Sequence, residues 1–340
     1  MSIPGHLLTT AMAVMPHRDV DRALQVALSM DVPFWPQLPH YSYYEDMYVQ
    51  ASEHFPGILL DLNKRTLRFS MEKFVEELEE TLGHFDEPAY FDISETYSVV
   101  YKRFLALDLS DRPAIRGQLE GPISFGFNVL DQDDRPILFD DTVRPFMLEF
   151  MAKRVNTQLE RLTRLNPHAF MFIDEPGLQF LFSAMSGYSD QLARKDMETF
   201  FSMIKRPRGV HLCGNPDWDF LLGLDLDILS LDVYSNGEVF VSYADSIKKF
   251  MERGGSLVWG IVPTHFEPFE AENLDSLEKR LEEIWRTLEK RGIDLEFLLS
   301  RSLLSPATCC LVNPDGEKTV EEAFKAIKDL SKRLREKYKL

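Results

Sequence analysis

Cysteine is scarce. Three residues in a chain of 340 cannot form the disulfide framework of a small secreted domain, and the count suits a reducing cytoplasm. Positive charge is also in short supply. The 38 Lys and Arg stand against 55 Asp and Glu, a net charge of −17. That balance argues against a sequence-independent nucleic-acid binder and against docking on an anionic membrane. No apolar run approaches the roughly 20 residues that a membrane-spanning helix needs. Residues 1–16 carry no Lys or Arg ahead of their short apolar stretch, so no secretory signal is expected there. No Ser/Gly-rich linker divides the chain, and no short-period repeat is visible.

What is present is enough apolar material for a full-sized core: hydrophobic residues make up 44% of the chain. It is arranged as eight short apolar runs, at 8–15, 32–38, 114–119, 169–173, 209–213, 227–233, 256–262 and 302–308. Most positions in each run are apolar, as in strands buried on both faces. Helical patterns lie between them, at 20–30, 141–166, 194–204, 243–253, 274–290 and 319–337. This alternation predicts an α/β fold, a (β/α)8 TIM barrel forming one domain over residues 1–340. The second and third runs are widely separated. Residues 39–113 therefore read as an elaborated connection after the second strand, rich in aromatics and holding a helix near 71–82. It either covers the barrel mouth or braces the barrel as a peripheral hairpin.

In such a barrel the chemistry lies at the C-terminal ends of the strands. The fourth run leads into Asp174-Glu175-Pro176. The fifth ends in His211-Leu212-Cys213. The sixth carries Asp232 and is followed by Tyr234. The seventh leads to His265, and the eighth to Cys309 and Cys310. His211 and Cys213 are two residues apart, so on a strand their side chains face the same way. Imidazole, thiols and a carboxylate from separate strand ends make a plausible tetrahedral zinc set, of the kind used by catalytic rather than finger-type zinc. Taken singly, each residue has a plainer role. A buried Cys behaves as a small hydrophobe, and Asp232 could orient His211 without touching a metal.

These segments together resemble the C-terminal barrel of cobalamin-independent methionine synthase and its short, single-barrel zinc methyltransferase relatives in the uroporphyrinogen decarboxylase-like superfamily. Thr9-Thr10 through Met15-Pro16-His17 resembles the opening strand. Phe34-Trp35-Pro36-Gln37-Leu38-Pro39 resembles the second. Leu119-Glu120-Gly121-Pro122-Ile123-Ser124 matches the L-x-G-P-[IV]-[ST] element, and Ile173-Asp174-Glu175-Pro176 the I-D-E-P strand. His211-Leu212-Cys213 is the H-x-C zinc motif. The segment ending at Asp232 aligns with the one that ends in the synthase's zinc-binding carboxylate, and Pro306 to Leu311 resembles the last-strand cysteine motif. The chain departs from the pattern at Ala13-Val14, where the family has the Gly-Ser turn that holds an amino-acid carboxylate. Its last-strand motif is one residue longer than the family's. Alignment on Leu311 selects Cys309 as ligand and leaves Cys310 as the alternative.

The resemblance implies a zinc-dependent thiol methyltransferase. Its metal ligands would come from His211, Cys213, Cys309 or Cys310, and Asp232. Asp174 would contact the substrate's amino group, with His17, Trp35, Gln37 and Tyr234 lining the substrate site. Asp174 and Asp232 are the expected catalytic carboxylates. The expected substrate is a small-molecule thiol, with homocysteine giving methionine as the leading candidate. The expected methyl donor is methylcobalamin or a methylated corrinoid protein, because the chain has room for one barrel and lacks a corrinoid-binding D-x-H-x-x-G motif of its own. Two other readings remain: a metal-free decarboxylase of the uroporphyrinogen type, and a non-catalytic zinc-binding barrel.

Overall fold

The computed structural model describes residues 3–180 and 187–340. Seven strands form one wholly parallel sheet. They are β1 (Leu8–Thr9), β4 (Arg116–Glu120), β5 (Phe170–Asp174), β6 (Arg208–Leu212), β7 (Ile228–Asp232), β8 (Ser256–Val262) and β9 (Ser302–Pro306). The sheet order is β1-β9-β8-β7-β6-β5-β4, so first and last strands in sequence are neighbours. A separate antiparallel hairpin, β2 (Ile58–Asp61) and β3 (Thr66–Phe69), lies within the long connection. Every strand of the main sheet is followed by helix, which is the pattern that forces parallel pairing and burial on both faces.

The sheet curls. Val32, Ala114, Phe170, Phe172, Ile228, Val258 and Leu303 form one buried cluster on its inner side. These residues come from positions spread across the whole sheet, and they can meet only if its edges turn toward each other. A second, much larger apolar core lies between the sheet and the helices, including Met147, Phe150 and Leu162 from the long helix Val143–Leu165.

The expected second strand is not regular. Residues 32–38 lie between β1 and β4 and form isolated bridges, Gln37 with Val14 beyond the end of β1 and Phe34 with Arg116 of β4. The Val32 amide donates to the Thr9 carbonyl (2.9 Å) and the Arg116 amide to the Pro33 carbonyl (3.0 Å). Pro33 and Pro36 remove two donors from this stretch, and a ladder cannot form across missing N–H groups. The regular sheet is therefore seven-stranded and open at this seam, where eight strands were expected from the apolar runs.

Helix boundaries follow local chemistry. Asp19 caps Val20–Leu28, Ser70 caps Met71–Gly83, and Asn273 with Ser276 forms a capping box on Leu274–Lys290. Among the described residues no helix is long and apolar enough to cross a membrane.

Candidate functional site

The inner face of the sheet carries a row of polar side chains at its C-terminal edge. Strand register sets Glu120 beside Asp174, Asp174 beside His211, and His211 beside Ser230. Period-two alternation turns Arg116, Gln118 and Glu120 of β4 to one face, with Phe170, Phe172 and Asp174 doing the same on β5.

His211 is buried and held at both nitrogens. Its Nδ1 lies 3.0 Å from Ser230 Oγ, and its Nε2 lies 3.1 Å from Cys213 Sγ. Burial, with the Arg116 charge added, pushes the imidazole down to about 3. The ring is thus neutral at physiological pH, and with Nδ1–H donated to Ser230 its Nε2 lone pair faces the thiol. Cys213 and Cys309 stand near enough to act on each other, which lowers the Cys309 thiol and raises that of Cys213. Residues 96 positions apart in the chain are so brought to one point.

These groups line a cavity of about 90 Å³. Its polar wall is Arg116, Asp174, His211, Cys213 and Cys309, and its apolar wall is Met12, Ala13, Val14, Met47, Phe172 and Pro176. Met47 comes from the long connection, which thus reaches the cavity. A larger groove of about 700 Å³ beside the last helix is lined by Asp31, Lys328, Lys332 and Arg335 and carries no thiol or imidazole. The small cavity is where the reactive groups are.

The two adjacent cysteines separate. Cys309 faces the cavity. Cys310 turns away, with its sulfur 3.4 Å from His265 Nδ1 and 3.4 Å from the Val312 carbonyl. Asp232 is buried, and its Oδ1 accepts the Ser235 amide (3.0 Å) to cap the helix Val233–Phe240. It stands near enough to Cys213 for its charge to raise that thiol further.

Imidazole and thiols are the donor types zinc prefers, and the neutral His211 and the lowered Cys309 thiol suit ligation. His211, Cys213 and Cys309 fall short of mutual contact: among the described residues, the trio of potential donors within 4.8 Å of one another is His17, Glu317 and Glu321. The His211–Cys213 pair is in contact, and Cys309 lines the same cavity.

Asp174 and Glu175 divide their roles. Asp174 lines the cavity, and burial pushes its carboxyl up to about 8 against the opposing pull of Arg116. Glu175 points away and accepts the Ile123 amide (3.0 Å), the Ser124 amide (2.8 Å) and the Ser124 hydroxyl (2.6 Å). It caps the helix Pro122–Asn128, and burial raises it to about 7. The carboxylate fits there because Gly121 has no side chain: a Cβ would sit 2.1 Å from Glu175 Oε1.

Four expected substrate contacts stand elsewhere. His17 is buried against Glu321 (3.2 Å). Trp35 packs on Tyr101 and donates its indole N–H to Gln158 (3.0 Å). Gln37 donates to Gln50 (2.8 Å), and Tyr234 donates to Glu272 (3.1 Å) on the outer surface. None of the four lines the cavity. Conversely, Arg116 and Glu120 were not singled out from the sequence. Their signal was available as the stripe Arg116, Gln118, Glu120 at alternate positions of an otherwise apolar run.

No protein-family model matches the chain. No curated protein matches it either. Among solved structures, the chain is similar to a methyltransferase from Methanosarcina mazei, with a TM-score of 0.54 over 98% of this chain and 94% of that chain. At 14% identity the likeness is one of fold. An endo-1,4-beta-mannanase from Rhizomucor miehei aligns over 95% of each chain at 10% identity, with a TM-score of 0.30 that carries no argument.

Proposed function

We propose that the chain is a zinc-dependent methyltransferase on a (β/α)8 barrel with an irregular second strand, and that it moves a methyl group from a corrinoid to a thiol. The corrinoid is methylcobalamin or a methylated corrinoid protein, and homocysteine is the leading thiol by resemblance to the methionine synthase barrel. One observation carries the reading: His211 on β6, Cys213 just past its end and Cys309 beyond the end of β9 line the wall of a single cavity. The methyltransferase fold of the Methanosarcina neighbour agrees with it.

His211, Cys213 and Cys309 would hold the metal, with Asp232 beside them. A bound zinc would favour loss of the proton from a thiol that joins it, which matters because a free thiol is only a few per cent thiolate at neutral pH. Ser230 orients His211, as metal-binding histidines require. Asp232 caps its helix and adds negative charge beside Cys213. The apolar wall of Met12, Ala13, Val14, Met47 and Phe172 excludes water, which would otherwise solvate the sulfur nucleophile. Cavity walls on several strands fix where the thiol stands, and attack on a methyl group is mainly a matter of such positioning.

The test is transfer from methylcobalamin. Zinc-loaded protein with homocysteine should bleach the methylcobalamin spectrum and form methionine, and metal-free protein should not. Absence of transfer to any of a panel of small thiols, at full zinc occupancy and with the methyl donor in excess, contradicts the reading.

A further inference from the structure

Arg116 is fully buried at the wall of the cavity. Its guanidinium is held by neutral groups alone. Nε donates to Thr10 Oγ1 (3.2 Å), Nη1 to Gln118 Oε1 (3.0 Å), and Nη2 to the Ala11 carbonyl. Its faces lie against Phe34 (4.5 Å) and Phe172 (5.0 Å). These contacts use three of the five N–H groups of a guanidinium. Among the described residues no carboxylate lies within ion-pair distance of it. Asp174 is the one acid whose charge reaches it, from further away. A buried charge without a counterion is costly, and proteins ordinarily pair it. Here the buried charge belongs to a residue that lines the cavity.

The residues that anchor Arg116 explain its aim. Thr10 and Ala11 lie directly before the Met12-Ala13-Val14 segment of the cavity wall. The arginine thus sits under the first strand's end, with His211, Cys213 and Cys309 on the same cavity.

We propose that Arg116 is the anion-recognition residue of this cavity, so that the ligand it takes is a compact molecule carrying an acidic group. This rests on the thiol reading above only in naming the ligand: a small thiol acid. The acidic group would pair with Arg116 while its sulfur faces His211, Cys213 and Cys309. A planar guanidinium with free N–H groups suits a carboxylate or a sulfonate equally.

The experiment is calorimetric titration of zinc-loaded and metal-free protein with four probes: mercaptopropionate, its neutral counterpart mercaptopropanol, the cationic cysteamine, and propionate, which lacks the sulfur. Mercaptopropionate should bind roughly tenfold or more tightly than mercaptopropanol, a difference of about 1.4 kcal/mol. Arg116→Gln should abolish that preference, and Arg116→Lys should keep part of it. Thermal melts establish whether each variant is folded, and the comparison among probes on the unaltered protein stands without them. Equal binding of the charged and neutral thiols, preference for cysteamine, or no binding of either acid overturns the proposal. A failed thiol reading gives a different pattern. Propionate then binds as well as mercaptopropionate and zinc changes neither, while the dependence on Arg116 persists and upholds the anion site.

Discussion

Asp174 and Glu175 are neighbours in the chain with opposite surroundings. Glu175 accepts three hydrogen bonds at the start of a buried helix. Asp174 faces open cavity. Glu175→Ala leaves two backbone donors and a hydroxyl without their acceptor, so it should cost about 2–4 kcal/mol, read as a lower urea midpoint at unchanged slope. Asp174→Asn removes no such partner and should leave the midpoint nearly where it was. Equal loss in both variants would contradict this division. The sequence carried the pair but could not say which member faces inward, because alternation fixes relative faces and not the absolute one. The same held for Cys309 and Cys310, which strand periodicity places on opposite sides without choosing between them. Trp35 and Gln37 also end an apolar run, and local packing turns them onto Tyr101 and Gln50.

Among elements, residues 32–38 and the connection that follows depend on each other. Gln37 donates to Gln50, which donates to Glu45 (2.9 Å). Glu45 also accepts the Ser98 hydroxyl (2.8 Å) and the Val99 amide (2.8 Å). A buried polar chain so ties the irregular strand to the connection. Burial outweighs these hydrogen bonds and raises Glu45 from 4.5 to about 7. The fold thus favours its protonated form. The associated stability is full below about 4.5 and is lost as pH rises through about 7. The melting temperature should therefore fall between about pH 5 and about pH 8, and Glu45→Gln should fall less steeply. Parallel pH profiles for the two proteins would show that this carboxyl is not responsible. Seven of the eight apolar runs became strands, because period and length specify a strand buried on both faces. The run at 32–38 failed where prolines withhold donors. A hairpin was one of two readings of residues 39–113, and β2–β3 meets Leu130 and Asp131 through Arg68 and Phe69 of β3.

At the scale of the molecule, the two ends of the chain hold each other. β1 pairs with β9, and the last helix, Lys318–Tyr338, buries Val320, Phe324, Ile327, Leu330 and Leu334. Ser331 Oγ donates to the Leu7 carbonyl (2.6 Å). Removal of residues 318–340 would expose this apolar stripe and the first strand beneath it. The truncated chain should lose its cooperative thermal transition by circular dichroism and accumulate in the insoluble fraction. A soluble, cooperatively melting product would mean that the sheet closes without the helix. The α/β class was legible because alternation of short runs and amphipathic stretches is a property of the whole chain. The cavity was legible only in part: its thiols and imidazole stood at predicted strand ends, whereas Arg116 and Met47 reach it from the base of a strand and from the short helix Met47–Ala51 of the long connection.

The central claim is that His211, Cys213 and Cys309 share one divalent ion while Cys310 takes no part. Zinc content per chain, measured by atomic spectroscopy after dialysis against a weak chelator, tests it most directly. The wild type and Cys310→Ala should each retain about a single equivalent, and Cys213→Ala and Cys309→Ala should retain little. Full occupancy in Cys309→Ala, or loss of zinc in Cys310→Ala, would contradict the assignment.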